Sequence, residues 1–312
     1  MTSHKVFVCA ATGTVGGAVA RQLRALDWEV HATSRDTNSP AAQALASIGV
    51  HVHQGSWSDH ATLEAAMAGC DLLFMNLTPD LTNFASQLVD GKAILRIAKA
   101  AGVKHAVYSG AIMPSEIQRS PPIMQTTFQD KKAVAAEVRA TGFQHWTILE
   151  PGAFMANLLA PKVNVLYPGA AETGVFTLAF RPDSELPMVD DDDIAAYVAA
   201  AFQNPDKFHG RELSVVSEVV TFERAIDTMC RVTGRNIRAK YLTDEEVGEA
   251  MASNPMLFVQ QVLRDSSNLA AQGGVVEEAK RLGFEPTTFE RFVEREKKAF
   301  GETFQKVEVY DD

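Results

Sequence analysis

Two stretches carry residue types and spacings that could do chemistry. The first is Ala10-Ala11-Thr12-Gly13-Thr14-Val15-Gly16-Gly17, directly after the apolar run Val6-Phe7-Val8-Cys9. Glycine serves where a chain must take a positive φ or lay bare backbone against a ligand. Behind the turn, Val15, Val19, Leu23 and Leu26 recur at i, i+4, i+8 and i+11, one apolar face of a helix. Strand, glycine turn and helix in that order offer unpaired N–H groups and a positive dipole end to an anion such as a diphosphate. Read as G-x-x-G-x-x-G, the key positions are Ala10, Gly13 and Gly16, with alanine in the first. Ala10, Thr12, Gly13, Thr14, Val15 and Gly16 are the candidate contacts. A ligand-free turn of the same composition is the alternative.

The second stretch is Ser34-Arg35, about 20 positions further on, at the end of a second apolar run. In a dinucleotide site an acid at this place takes the ribose hydroxyls. Here no acid comes before Asp36. A guanidinium instead suits a 2′-phosphate, through charge-assisted bidentate bonds. Ser34 and Arg35 therefore point to NADP(H), against the plainer reading of a solvated arginine at a loop start.

The elements that must position these residues alternate. Strands are predicted over residues 6–10, 29–33, 50–54, 71–76, 103–109 and 145–149, and helices over 40–48, 59–67, 84–101 and 126–140, with Asp59 as a cap. Such alternation implies βαβ units with right-handed crossovers, an α/β fold whose parallel sheet is covered on both faces. Ligands then bind beyond the C-terminal strand ends. Those ends are the turns at 10–17, 34–36, 55–58, 76–80, 109–115 and 150–157, which adds Ser56, Asn76, Ser109, Pro151 and Gly152 to the candidates.

Beyond residue 151 the spacing becomes irregular. Strands are expected at 174–180, 187–189, 212–216 and 236–241, with 212–216 returning to the sheet. Thr221 caps a helix to residue 232, while Thr243–Glu246 and Thr287–Glu290 read as capping boxes. The acids 190–193 precede a helix over 194–202 and suit its positive end. The apolar stretch 254–263 could line a substrate mouth, form a dimer contact or pack into the core, and the tail after Gly301 shows little pattern.

The totals narrow the classes. A chain of 312 residues suits two packed domains. A net charge of −10 and the lack of a Lys/Arg-clustered helix argue against direct nucleic-acid binding. No apolar run approaches membrane-spanning length, no secretory leader is evident, and three unpatterned cysteines fit a reduced, cytoplasmic setting. His51 and His53 alternate on one strand, but no Cys or His partner follows at metal spacing, so no metal is expected. No G-x-S-x-G or H-E-x-x-H motif supports hydrolysis.

With the glycine turn and Ser34-Arg35, three later segments complete a resemblance. They are Lys131-Lys132-Ala133-Val134, Thr147-Ile148-Leu149-Glu150-Pro151-Gly152-Ala153-Phe154-Met155-Ala156-Asn157, and Pro187-Met188-Val189-Asp190 with Asp193-Ile194. Together they resemble the NmrA-like family of atypical short-chain dehydrogenases/reductases over roughly residues 5–240. The second segment is the most specific, being similar to the family's T-I-L-x-P-G-x-F-M-x-N signature. The resemblance implies a Rossmann-type, doubly wound parallel sheet binding NADP(H) in residues 1–151. It also implies a smaller α+β subdomain in 152–312 forming a cleft over the nicotinamide, with segments of about 187–216 returning to the sheet. Ala153, Phe154 and Met155 would lie beside the nicotinamide on that resemblance; otherwise they are core. Gly55-Ser56 stands where many members carry Gly-Asp near the adenine.

In the same alignment Lys131 falls on the lysine of the Y-x-x-x-K of ordinary short-chain dehydrogenases, and Thr127 on its tyrosine. Hydride transfer to a carbonyl leaves an alkoxide that needs a proton. Thr127 is far too weak an acid for that. Lys131 could anchor the ribose, or act as the acid where burial lowers its pKa. Ser109 matches in position the serine that polarises a substrate carbonyl. Two readings follow: an NADPH-dependent reductase of a small apolar carbonyl or conjugated substrate, or a non-catalytic NADP(H) redox sensor acting through a protein partner. A homodimer is compatible with either.

Overall fold

A computed structural model describes residues 4–77, 86–120, 122–266 and 273–309. The chain opens with β1 (Lys5–Val8), α1 (Thr14–Ala25), β2 (Glu29–Ser34), α2 (Pro40–Ser47) and β3 (His51–Gln54). It continues through α3 (His60–Met67), β4 (Leu72–Asn76), α4 (Ser86–Ala100), β5 (His105–Ser109), α5 (Pro122–Ala140) and β6 (His145–Pro151). Next come β7 (Ala153–Phe154), α6 (Lys162–Leu166), α7 (Ala170–Thr173), β8 (Val175–Leu178) and β9 (Glu185–Val189). Then follow α8 (Asp191–Gln203), α9 (Pro205–Phe208), β10 (Arg211–Val215), β11 (Glu218–Thr221) and α10 (Phe222–Thr233). The last described elements are β12 (Arg238–Tyr241), α11 (Asp244–Ala250), α12 (Met256–Asp265), α13 (Gly273–Arg281), α14 (Phe289–Arg295) and α15 (Lys297–Thr303).

The chain divides into two compact units. The first comprises Met1–Ala111, Thr126–Pro151 and Asp191–Ser214. Its seven-stranded sheet has the order β10-β6-β5-β4-β1-β2-β3. The pairs β1–β2, β1–β4, β2–β3, β4–β5 and β5–β6 are all parallel. The order reverses at β1, which lies between β2 and β4, and that switch opens the crevice where α/β sheets bind ligands. Strands β1 and β4 are mostly apolar and β5, although it carries His105, Tyr108 and Ser109, is buried throughout, as a sheet covered by helices on each side requires. Local chemistry starts the helices: Asp59, as read, accepts from Thr62 N–H, and the Ser39 side chain accepts from Ala42 N–H before Pro40. Late in the chain, α8 packs on α1, and the Thr147 hydroxyl donates to the Phe208 carbonyl at 3.0 Å.

The second unit comprises Ile112–Gln125, Gly152–Asp190 and Val215–Asp312. It holds a three-stranded sheet, β11-β9-β7, and a parallel β12-β8 pair around a phenylalanine-rich core of Phe176, Phe222, Phe292 and Phe304. Thr221 and Thr243 cap α10 and α11, and Thr243 with Glu246 makes the full capping box.

Several expectations change here. Residues 187–189 belong to β9, which pairs with β7 and β11, so only 191–214 of that region joins the first unit. Segment 112–125, expected within the first domain, groups with the second unit, where Glu116 N–H donates to the Ser266 hydroxyl at 3.2 Å. The second threonine box is displaced: Thr288 is the cap of α14, accepting from Arg291 N–H, while Glu290 pairs with Arg231 at 2.7 Å. Of the three alternatives for 254–263, core packing holds: these residues fall mainly in α12, whose Leu257 and Val262 are buried. The tail is also structured, with Phe304 and Val307 buried and the Arg235 guanidinium donating to the Val307 carbonyl. The helix expected from residue 84 begins, in the described residues, at Ser86. Among the described residues, no helix is long and apolar enough to cross a membrane.

Candidate functional site

The glycine turn closes on itself. Ala10 takes φ +51°, the left-handed region that alanine enters at a cost of roughly 1–2 kcal/mol. That bend aims its carbonyl into the turn, where it accepts from Gly13 N–H at 2.9 Å. Gly13 is then the N-cap of α1, with no side-chain cap present. The first-turn N–H groups of Thr14, Val15 and Gly16 therefore lack a capping acceptor. A Cβ on Gly16 would lie 2.7 Å from the Cys9 carbonyl oxygen and closer still to that of Ala10, so only glycine fits. Thr12 and Gly13 are exposed, Thr14 half-buried and Val15 buried. The cradle faces outward at Thr12–Gly13 and is anchored by Val15.

The neighbouring strand ends lie in register around it. Ser34 is buried, and its hydroxyl donates to the Asp36 carbonyl at 2.8 Å, folding the turn rather than reaching out of it. Arg35 is exposed and has no hydrogen bond or ion pair among the described residues. Ser34 carbonyl accepts from Gly55 N–H at 2.9 Å, which brings the start of the Ser56 loop alongside. The Ser56 hydroxyl bonds that of Ser58 at 2.8 Å. Asn76 pairs with Ser109 across β4 and β5, so these two side by side end their strands. The remainder of the 76–80 turn lies outside the described residues.

Lys131 sits on α5 four residues after Thr127, on the same helix face. It is half-buried, and burial pushes its ammonium down to about 8. Tyr108 lies beneath: its phenol donates to the Lys131 carbonyl at 3.4 Å, and burial, then the Asp130 charge, raises its pKa. Tyr108 is thus a packing residue. Strand alternation sends Ser109 to the opposite face, shared with His105, whose ring meets Phe202 of α8 at 5.1 Å. Ser109 and Lys131 issue from opposite faces of the sheet, and the space common to both lies beyond the C-terminal strand ends.

Sequence reasoning missed Asp130. Burial raises its pKa, and its Oδ2 is buried with no hydrogen-bond partner. Nothing in the local sequence announces this, because the enclosure comes from neighbouring elements. The same physics holds two thiols protonated: burial pushes Cys9 and Cys70 each up to about 12.

Pro151 ends β6, buried. In the second unit, a Cβ on Gly152 would overlap the Pro187 carbonyl, and Gly152 N–H donates to the Val215 carbonyl at 3.1 Å. The glycine of the signature thus serves close strand approach. Phe154 is half-buried, with Lys162 Nζ 5.7 Å from its ring centroid. Met155 takes the core alternative: it is fully buried in this unit. Its buried neighbours there, Leu158 and Phe176, explain why it points inward. Tyr167 and Tyr197 are core residues, and Tyr310 lies outside the described residues.

Asp190 is the other surprise. The acids 191–193 form the first turn of α8, as expected, and Asp190, directly before it, is gripped by Arg295.

Comparison with known proteins places this geometry in context. The sequence profile described as the NmrA-like family matches residues 2–293. The NmrA-like family domain-containing oxidoreductase malD of Malbranchea aurantiaca is 29% identical over 249 residues, 75% of this chain and 74% of that protein. The NAD(P)H azoreductase of Xenophilus azovorans is 27% identical, covering 95% of this chain and 99% of its own. The crystal structure of NmrA, a negative transcriptional regulator, in complex with NADP superposes with a TM-score of 0.74 at 20% identity, covering 96% and 98% of the two chains. That likeness shows a shared fold.

Proposed function

The chain belongs to the NmrA-like family, and on that premise we propose that it binds NADP(H) and reduces a small apolar carbonyl or conjugated substrate. The observation that carries this reading is Lys131, an amine brought down to about 8 by burial and so able to give up a proton near neutral pH. The glycine turn, with uncapped N–H groups at the start of α1, suits a diphosphate. Arg35, exposed beside it in register, suits the 2′-phosphate. Relatives named as oxidoreductase and azoreductase support the same direction. When bound, the nicotinamide would supply the hydride. Lys131 would hold the ribose or deliver the proton from Nζ, and Ser109 would polarise the carbonyl from the strand end.

A second reading has its own observation. Thr127 stands where the proton-donating tyrosine would be, and a chain without that donor could bind NADP(H) and report redox state to a protein partner. The regulator with the shared fold was solved with NADP.

Calorimetry with NADP+, NADPH and NAD+ comes first, followed by NADPH oxidation over carbonyl, quinone and enone panels with Lys131→Ala as control. Arg35→Ala should weaken NADP+ binding about tenfold or more while leaving NAD+ unchanged. Turnover lost in Lys131→Ala supports the reductase. No turnover with equal affinity for both redox forms supports the sensor. If neither dinucleotide binds, both readings fail.

A further inference from the structure

We propose that Glu29, His31 and His51 form a site for a divalent transition-metal ion, zinc in the first instance, at the β2–β3 edge of the large sheet. Glu29 and His31 are two residues apart on β2, so alternation puts them on one face, and His51 is the register partner of His31 on β3. One ligand atom from each, a carboxylate oxygen and two imidazole nitrogens, lies within 4.8 Å of the other two. Tetrahedral zinc, with bonds of about 2.0–2.2 Å, wants its ligand atoms roughly 3.3–3.5 Å apart. The existing His31 Nε2 to Glu29 Oε1 contact of 2.7 Å must open by roughly 0.6–0.8 Å, and His51 must close by up to roughly 1.3–1.5 Å. His51 is exposed on an edge strand and stacks on His31 with centroids 4.6 Å apart, so a ring rotation out of that stack accomplishes it.

His53 supplies the outer support. Its Nε2 lies 3.0 Å from His31 Nδ1. Without an ion, His31 Nε2–H donates to Glu29; an ion at Nε2 displaces that proton, and the tautomer with the proton on Nδ1, donated to His53, presents the Nε2 lone pair to the metal, the arrangement that orients metal-binding histidines. Lys5 Nζ now sits 3.2 Å from Glu29 Oε1, and the ion would take over the place of that cation. Two imidazoles and one carboxylate suit zinc, copper or nickel rather than calcium or magnesium, and leave a fourth position for solvent. The spacing along β3 alone did not suggest a site, because the other two ligands come from the neighbouring strand. The proposal stands apart from the dinucleotide reading.

The test is calorimetric titration of the chelator-stripped protein with zinc chloride. One saturable equivalent per chain is expected. His51→Ala should weaken it at least about tenfold, and because His51 is exposed this variant keeps its fold, as circular dichroism will verify. His60→Ala, an exposed histidine on α3, should bind as wild type. Absence of saturable binding, wild-type affinity in His51→Ala, or an equal loss in His60→Ala would each overturn the proposal.

Discussion

Arg295 grips both carboxylate oxygens of Asp190, with Nη1 to Oδ2 at 2.6 Å and Nη2 to Oδ1 at 2.9 Å. The aspartate side chain is wholly buried while the arginine is 39% exposed. Asp190 N–H also donates to the Ser217 hydroxyl at 2.9 Å, so backbone and side chain both tie the end of β9. Removing the arginine takes two charge-assisted bonds from a carboxylate held away from water, a loss that reaches about 3–5 kcal/mol for a fully buried pair. Because solvent already reaches Arg295, Arg295→Met should destabilise by roughly 2–3 kcal/mol. Urea unfolding checks it, and a loss under 0.5 kcal/mol would show the pair to be incidental.

The turn makes a paired prediction. Gly16→Ala forces a methyl into the Ala10 and Cys9 carbonyls and should lose at least about 2 kcal/mol, with dinucleotide binding falling below detection. Ala10→Gly acts in the other direction. Relief of the positive φ outweighs the added freedom of the unfolded chain, so stability should rise by about 0.5–1 kcal/mol. Thermal melts of both variants beside wild type settle the signs.

Lys131 gives a pH dependence. Its folded pKa of about 8 lies below the ordinary 10.5, so between these values the unfolded chain binds more protons than the folded one. This residue's contribution to stability is therefore lowest below pH 8 and grows as pH rises toward 10.5. Lys131→Met removes the charge and keeps the packing. It should be more stable than wild type at pH 7, with the difference shrinking across that window. A gap that stays constant from pH 7 to 10 would refute the lowered pKa.

What could be read from sequence was local. Asp59, Thr221 and Thr243 cap their helices because each bonds an N–H only a few residues on. The glycine turn was legible for the same reason, though not that Ala10 itself bends left-handed. Thr288 replaced Thr287 as the cap because two adjacent threonines offer the same chemistry one residue apart. The Asp190–Arg295 pair joins residues 105 apart, and no local pattern encodes it. Likewise Met155, apolar beside a signature, gives no sign of which way it turns until the core around Phe176 is assembled.

The strand bordering β6 and the helix lying on α1 both arise beyond residue 190. A ribosome that has released only the first 151 residues has therefore delivered a sheet with β6 as an open edge and α1 partly bare, a state prone to sticking to other nascent chains. Fusion or truncation boundaries drawn after Pro151 would make that state permanent. The seven-stranded sheet is complete only once β10 has been made.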